Sequence, residues 1–527
     1  MMKEYDVIVV GGGIAGLTSA AYLCKYGYKT LLCEKEDRLG GLVGTFKEEG
    51  FAFDWGIRAF ENSGILFPML KNLGIEIDFV HSPVSIGIDT EWVRINSQAD
   101  IDKYFQMLDK FFSDNGGEIT VIAEEIYKIM GYMDVLYGID NPLFLEGKMD
   151  KEYLMKILLP WLIKYLRDMR KVAKLNEPVN VFLGRFTDNQ VLIDMITQHF
   201  FKDTPTSFAL SYFGLYLDYC YPLGGTGVLV QKMTDYIVNN NGDIKTLSAI
   251  TNVDHRNNTV QTANQETYKY KKLVWAANQK MLYQGITNLK SKDFLNKKEV
   301  VAASHGGDSV LTLYVGTSLP KEYFQNICGA HAFYTPKKVG LSTLKAWQEV
   351  EGGVEKRLEW VKTYLETTTY EISSPTLRDD KLSPAGKTSL IISTLFDYDL
   401  DLHFSELGET KRFKEVYEAT IIDVINNSIF PGLKDKIDFL RSSTPLTIAA
   451  KTSNAEGAIT GWAFTNPVMP AENRFKKIAK SIKTPIKDIY QCGQWSFSPS
   501  GLPISVLTGK LAADAIKKNL KEEKYDF

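Results

Sequence analysis

A chain of 527 residues is long enough for three or four units of about 150 residues each, and its 44% apolar and 24% charged residues exclude disordered and collagen-like classes. Its 61 Lys and Arg nearly balance 64 Asp and Glu, leaving a net charge of −3 and no overall basic footprint for nucleic acid. The five cysteines (Cys24, Cys33, Cys220, Cys328, Cys492) lie far apart with no C-x-x-C, which suits a reducing compartment and argues against a disulfide framework or a zinc ribbon.

Val7-Ile8-Val9-Val10 is a short, fully apolar run of the kind a parallel sheet buries on both faces. It opens an uncharged stretch, Val7 to Cys24. The glycines inside that stretch, and Glu4 and Asp6 before it, read as a strand entering a turn and not as a signal peptide. With no segment resembling a transmembrane span, the expected location is the cytoplasm. Gly11-Gly12-Gly13-Ile14-Ala15-Gly16 matches G-x-G-x-x-G, and Leu17 to Tyr26 follows at helical spacing with Gly27 as its C-cap. Tyr28 to Cys33 is a second apolar strand, ending at Glu34. Gly11 permits the tight turn, Gly13 lets backbone approach a pyrophosphate, and Gly16 lets helix pack on strand. The helix N-terminus offers unpaired N–H groups and partial positive charge. Glu34, 23 residues after Gly11, is placed to accept hydrogen bonds from ribose hydroxyls. An acid there favours an unphosphorylated ribose, hence FAD or NAD over NADP.

Farther along, Tyr153 to Leu175 places Leu154, Ile157, Leu158, Trp161, Leu162, Tyr165, Leu166, Met169 and Val172 at helical spacing among six cations, with Asp168 between them. Such a basic amphipathic helix, kinked at Pro160, is a candidate for peripheral contact with an anionic membrane, against the alternative of a core-packed helix with a solvated basic face. Phe200-Phe201, Phe208, Tyr212-Phe213 and Tyr216 cluster next, and a few of them could line an apolar tunnel. In Tyr221-Pro222-Leu223-Gly224-Gly225-Thr226-Gly227 the glycines open a helix start, Val228 to Asn239, that would face a ligand. Six histidines (His81, His199, His255, His305, His331, His403) show no ligand spacing, so no metal is expected. At the far end Asp488 to Gln494 reads as a strand running into a glycine turn, and Ser498 to Ile504 leads into a helix, Val506 to Asn519.

Several of these segments carry a resemblance. Glu34-Lys35-Glu36-Asp37-Arg38-Leu39-Gly40-Gly41 is similar to the E-x-x-x-R-x-G-G extension of the FAD-dependent amine oxidase-like superfamily, and Phe53-Asp54-Trp55-Gly56 resembles its next motif, a strand ending beside the flavin. The Y-P-x-G-G segment resembles the phytoene desaturase, carotenoid isomerase and retinol saturase branch. So do Phe430-Pro431-Gly432-Leu433 and the T-P strand at Ser443-Thr444-Pro445, followed by a glycine-rich turn at Gly457 to Trp462. Ala249 to Val253 looks like the strand whose Val253 backbone pairs with adenine, and Gly493, Gly501 and Leu502 sit in the C-terminal FAD motif, although Gln494 replaces the usual acid.

The resemblance implies an α/β chain: a Rossmann-like FAD-binding domain (GR2-type) built from residues 1–85, 221–300 and 485–527, interleaved with an α+β substrate domain (86–220 and 301–484) containing a mixed sheet and helices. It implies FAD contacts at Gly11, Gly13, Ala15, Gly16, Glu34, Lys35, Arg38, Gly40, Gly41, Gly56, Ile57, Val253, Gly493, Gly501 and Leu502. The implied activity is flavin redox at a carbon–carbon bond of an apolar, lipid-like isoprenoid or polyene: desaturation, saturation or isomerisation. Catalytic residues stay open. Arg58, near the flavin or substrate mouth or else in a surface salt bridge, and Lys451, in the strand after the T-P motif, are the candidates. A flavin amine oxidase or protoporphyrinogen oxidase is the alternative, and a non-enzymatic lipid-binding protein of the dissociation-inhibitor type is a third reading.

Overall fold

The computed structural model describes residues 2–145, 151–286 and 288–525. Val7–Val10 ends β1 (Lys3–Val10), which lies parallel to β2 (Thr30–Cys33). Between them runs α1 (Ile14–Lys25). Because side chains alternate along a strand, Val7 and Val9 pack under α1, against Leu17, Ala20 and Ala21, whereas Ile8 and Val10 pack on the other face against Leu31 and Trp275. Both faces are dry, which is why the run is continuously apolar.

On the other side of β1 lies the strand Thr267–Trp275, also parallel, and the C-terminal strand Ile489–Gln491 pairs in parallel with its last three residues. Register aligns Cys33, Val10, Trp275 and Gln491 across one row. The turns after all four strands therefore leave from the same carboxyl edge, where open α/β sheets bind ligands. Gly493 and Ala15, 478 positions apart in the chain, come so close that a Cβ on Gly493 would sit 3.0 Å from the Ala15 methyl. The terminal helix Leu502–Tyr525 lies along α1. Gly509 makes that approach feasible, since a Cβ there would be 2.5 Å from the Ala15 carbonyl oxygen.

A second seven-stranded sheet runs in the order Ile437–Ser443, Ser309–Thr317, Thr388–Phe396, Tyr370–Ser373, His331–Thr335, Val84–Ile88 and Glu91–Ile95. It is mixed: only His331–Thr335 and Val84–Ile88 run parallel. Leu313, Ile372 and Ile392 point from one face into a core with Val361, Phe413, Tyr417 and Ile421 of two covering helices, Gly353–Thr367 and Thr410–Ser428. Strand Val84–Ile88 belongs to this sheet, so the expected segment boundary at residue 85 falls inside one of its strands. A third layer of helices, among them Gln98–Phe111, Gly116–Tyr137 and Thr206–Leu215, closes over the sheet end around Ile122, Ile126, Leu210 and Phe213.

Two local expectations are corrected. The T-P segment is not a strand: the strand ends at Ser443, and Thr444 caps a helix, Pro445–Thr452, with proline in its first turn, where its missing N–H costs nothing. Lys451 is thus helical. In 153–175 the amphipathic stripe is split. Met169 and Val172 pack with Met133, and the Trp161 indole donates to the Val135 carbonyl at 2.7 Å, but Leu154, Met155, Ile157, Leu159, Leu162, Ile163 and Leu166 remain exposed. Pro160 sits in the first turn of the α-helix Leu159–Val172, after a wider π-turn over Leu154–Leu158, so the helix is not broken there.

Candidate functional site

The four turns at the sheet's carboxyl edge open into a cavity of about 660 Å³ that continues to the face of the second sheet. Its nucleotide-like end is built by Gly11, Gly13, Ala15, Glu34, Lys35, Arg38, Gly40, Gly41, Gly56, Ile57, Gly493, Gly501 and Leu502, all of which line it. Gly13 is the position where the cradle shows most clearly. A Cβ built there meets no heavy atom within 4 Å, so its surface is turned to the cavity. Gly16 stands behind, and a Cβ there would lie 1.9 Å from the Gly11 carbonyl oxygen, so it serves close packing and does not line the cavity. α1 has no side-chain cap and no acid in its first turn, leaving its N-terminus with N–H groups and no competing anion.

Glu34 is fixed before any ligand arrives. One carboxylate oxygen accepts the Gly12 N–H at 2.7 Å and the other accepts the Glu36 N–H at 2.9 Å, and each retains lone pairs toward the cavity. The Arg38 guanidinium lies 4.1 Å from the Trp55 ring centroid, and the Trp55 indole donates to the Gly41 carbonyl, so the cation is held at the rim by a ring that also props the second glycine turn. Lys35 donates to Glu36 and to the Ala450 carbonyl, both at 3.0 Å. These residues fit a dinucleotide: glycine-lined backbone, a bare helix N-terminus and an oriented acid.

Val253 does not reach this cavity. It pairs with Val260 in the sheet ladder, and Ser248, Ala249 and Ile250 line the wall in its place. The Y-P-x-G-G segment does not face the cavity either. It closes on Asp54, whose buried carboxylate accepts the Tyr221 hydroxyl at 2.7 Å, the Thr226 N–H and hydroxyl at 2.9 Å each, and the Thr45 hydroxyl at 2.6 Å. We expect Asp54→Ala to lower stability by about 3 kcal/mol or more, because the buried Tyr221 hydroxyl and Thr226 N–H lose their acceptor and the Thr45 and Thr226 hydroxyls lose one, with Asp54→Asn milder. Thermal unfolding followed by circular dichroism checks this.

The other end of the cavity is aromatic, lined by Phe200, Phe201, Phe208, Tyr212 and Tyr216, while Phe213 turns away into the helical core. Set into this wall are polar groups that come from separate segments and share no spacing in sequence. Arg58 is buried, not in a surface salt bridge: it donates to the Asp54 carbonyl and, at 3.0 Å, to the Ser393 hydroxyl. Glu61 lines the cavity, and burial pushes its carboxyl up to about 7. His199 lies 3.1 Å from the Tyr216 hydroxyl, and burial pushes it down to about 4. His331 and Glu371 form a pair at 2.9 Å. Lys451 lines the cavity at its nucleotide-like end, exposed and 3.9 Å from Glu36. Among the described residues no group of three or more His, Cys, Asp or Glu side chains could hold a metal ion, and no helix is long and apolar enough to cross a membrane.

Comparisons with known proteins agree with this geometry. Residues 9–73 match the family of NAD(P)-binding Rossmann-like domains. The chain is 23% identical to all-trans-retinol 13,14-reductase of Danio rerio, across 93% of this chain and 82% of that one. It is 22% identical to prolycopene isomerase 2, chloroplastic, of an Oncidium hybrid cultivar, across 99% and 85%. Among solved structures, a redesigned putrescine oxidase superimposes with a TM-score of 0.61 at 14% identity, covering 98% of this chain and 99% of that one. Over nearly its whole length, the chain is therefore similar in sequence to polyene reductases and isomerases of the retinol and prolycopene kind, and it shares the fold of the putrescine oxidase.

Proposed function

We propose that the protein is an FAD-dependent oxidoreductase acting on a carbon–carbon bond of an apolar isoprenoid or polyene. One observation carries the reading: a single cavity joins the Gly13 cradle to the aromatic wall of Phe200, Phe201, Phe208, Tyr212 and Tyr216. Gly11, Gly13, Glu34, Arg38, Gly41 and Gly493 would hold the cofactor, which when bound supplies a hydride acceptor or donor. The chain's own part is to orient and to exclude water. The rings shape a slot for an extended hydrocarbon, and correct placement over a reactive centre is worth up to about 7–11 kcal/mol in model systems. Arg58 and Glu61, both in the wall, are two of the groups able to hold a charge or a proton beside the substrate. Its relatives' printed activities, reduction of retinol and isomerisation of prolycopene, support a polyene substrate.

The test is to purify the protein, record its visible spectrum and incubate it with polyenes, following products by chromatography and mass spectrometry. Turnover of polyenes with a flavin spectrum is expected. Turnover of amines or protoporphyrinogen with release of hydrogen peroxide, and none of polyenes, would transfer the reading to the oxidases.

Such a substrate dissolves in membranes, and the exposed apolar side chains of 154–166 give the protein a way to reach it there. Met155 and Ile163 are 64% and 63% exposed, and Lys156, Lys164, Arg167, Arg170, Lys171 and Lys174 accompany them, the pattern of a helix lying in an anionic interface. We expect the protein to sediment with phosphatidylglycerol vesicles more than with phosphatidylcholine vesicles. The double variant Ile163→Asp with Leu166→Asp should weaken that binding by about tenfold or more, since each buried aliphatic side chain is worth roughly 1.5–3 kcal/mol. Equal sedimentation of variant and parent would remove this helix from the proposal.

A further inference from the structure

Glu61 stands where the two ends of the cavity meet. It closes the two-residue strand Phe60–Glu61, and its Oε1 lies 3.6 Å from where a Cβ on Gly501 would stand, so the carboxyl abuts a turn of the nucleotide-like end. In the antiparallel ladder Glu61 is directly opposite Tyr219, whose ring stacks on His331 in the aromatic wall. Glu61 lines the cavity and keeps part of its surface open. Among the described residues no cation pairs with it. Besides burial, only its own backbone N–H and, more weakly, the Asp218 carboxylate act on its charge.

The other ionisable groups of this wall are committed. Burial opposes the charge of Glu371, but His331, at 2.9 Å, with Arg58 and Arg378, outweighs it and holds that carboxyl below its usual range, a fixed anion. Burial keeps His199 neutral beside the Tyr216 hydroxyl, and it pushes the Tyr216 and Tyr219 hydroxyls far above neutrality. The Arg58 guanidinium does not give up a proton. Glu61 differs from all of them. Around it Asp218, Tyr219 and Cys220 are the titratable neighbours, none of them a cation, so its carboxyl is free to hold a proton and to release it near neutral pH. Two carboxyls in one wall, pushed in opposite directions by their surroundings, separate a proton carrier from a permanent anion.

We propose that Glu61 is the catalytic residue that exchanges a proton with a carbon of the bound polyene. This rests on the polyene reading above and adds a named acid–base group to it. In the transfer the Glu61 O–H bond breaks and its proton bonds to one carbon of a conjugated double bond, using that bond's π pair. The positive charge left behind is delocalised along the conjugated chain, between aromatic faces that favour a cation, and Glu61 becomes a carboxylate. The reverse transfer returns the proton and restores the double bond. No electron is gained or lost, so the step needs neither oxidant nor reductant.

Two measurements on the flavin-loaded enzyme test this. The first uses no polyene: infrared difference spectra against pH should show a neutral carboxyl that ionises with a midpoint of about 7 and is missing from Glu61→Gln. The second incubates the enzyme in D2O with prolycopene and with all-trans-retinol, follows binding by flavin difference spectra, and reads deuterium on the polyene carbons by mass spectrometry. The parent should introduce deuterium. Glu61→Gln should bind the polyene as the parent does and lose about 100-fold or more of the exchange rate, and Glu61→Asp, which keeps an acid, should recover part of it. A polyene that binds to the parent and gains no deuterium would overturn the inference and leave the polyene reading in place, and that comparison needs no variant to fold. Exchange at the parental rate in Glu61→Gln, or a carboxyl titration that survives in it, would overturn it as well. If the enzyme binds neither polyene, the polyene reading fails and the inference goes with it.

Discussion

Gly13→Ala is expected to leave the fold and melting temperature unchanged while weakening flavin binding by about 1–3 kcal/mol, roughly 5- to 150-fold in Kd. The backbone at Gly13 is extended (φ −69°, ψ 174°), which any residue adopts, and the added methyl meets no protein atom within 4 Å. The only thing it can displace is what occupies the cavity. Gly16→Ala is the control with the opposite signature. Its methyl would stand 1.9 Å from the Gly11 carbonyl oxygen, backbone that cannot move without opening the turn, so poor folding is expected whether or not flavin is added. Flavin absorbance against protein absorbance after gel filtration, with a melting curve for each variant, reads both. A Gly13→Ala protein that retains its flavin at parental affinity would mean that no phosphate-bearing ligand lies against this turn.

Glu34→Ala should weaken flavin binding by a similar amount, about 1.5–3 kcal/mol for lost hydrogen bonds to a charged group, and should lower the melting temperature as well. The second effect distinguishes it from Gly13→Ala. Glu34 accepts the Gly12 and Glu36 N–H groups, so removing its carboxylate orphans two backbone donors and loosens both the fingerprint turn and the start of the second glycine segment. Glu34→Gln retains an acceptor oxygen and should fall between. Titration of apoprotein with FAD, monitored by quenching of flavin fluorescence, checks the order. An unchanged Kd in Glu34→Ala would place the ribose elsewhere.

The two variants report on a region that was legible in sequence, because everything that defines it is local. β1, the glycine turn, α1, β2 and Glu34 lie within about thirty residues, and Gly16 is required by its contact with Gly11 inside the same turn. The helix at Lys451 was legible too, had Thr444 and Pro445 been read as a cap and a first turn: Thr444 and Thr447 form a capping box. Val253 was misplaced for a different reason. Its strand exists where expected, but which residue of that segment reaches the cavity depends on how the hairpin Ile250–Asp254 with Thr259–Thr262 pairs onto the sheet, and register is a tertiary property.

Composition and spacing thus determined, without coordinates, a parallel Rossmann-like sheet, the glycine turn at its carboxyl edge and the acid beside it. What only the tertiary structure decided is the opposite wall. Glu61, His199, His331, Glu371 and Ser393 come from five distant segments: strand order in the second sheet sets Phe333 beside Glu371 and Glu371 beside Ser393, whereas Glu61 comes from the short strand Phe60–Glu61 and His199 from the turn after the helix Gln190–Thr197. A single polar residue on a strand carries no periodic signal of its own, and its chemistry is set by whatever side chains its neighbours on the sheet bring within hydrogen-bonding distance. The same holds for residues 154–166: their apolar spacing is visible in the chain, but which of those side chains Gly116–Tyr137 covers and which stay bare is fixed only when the two helices pack.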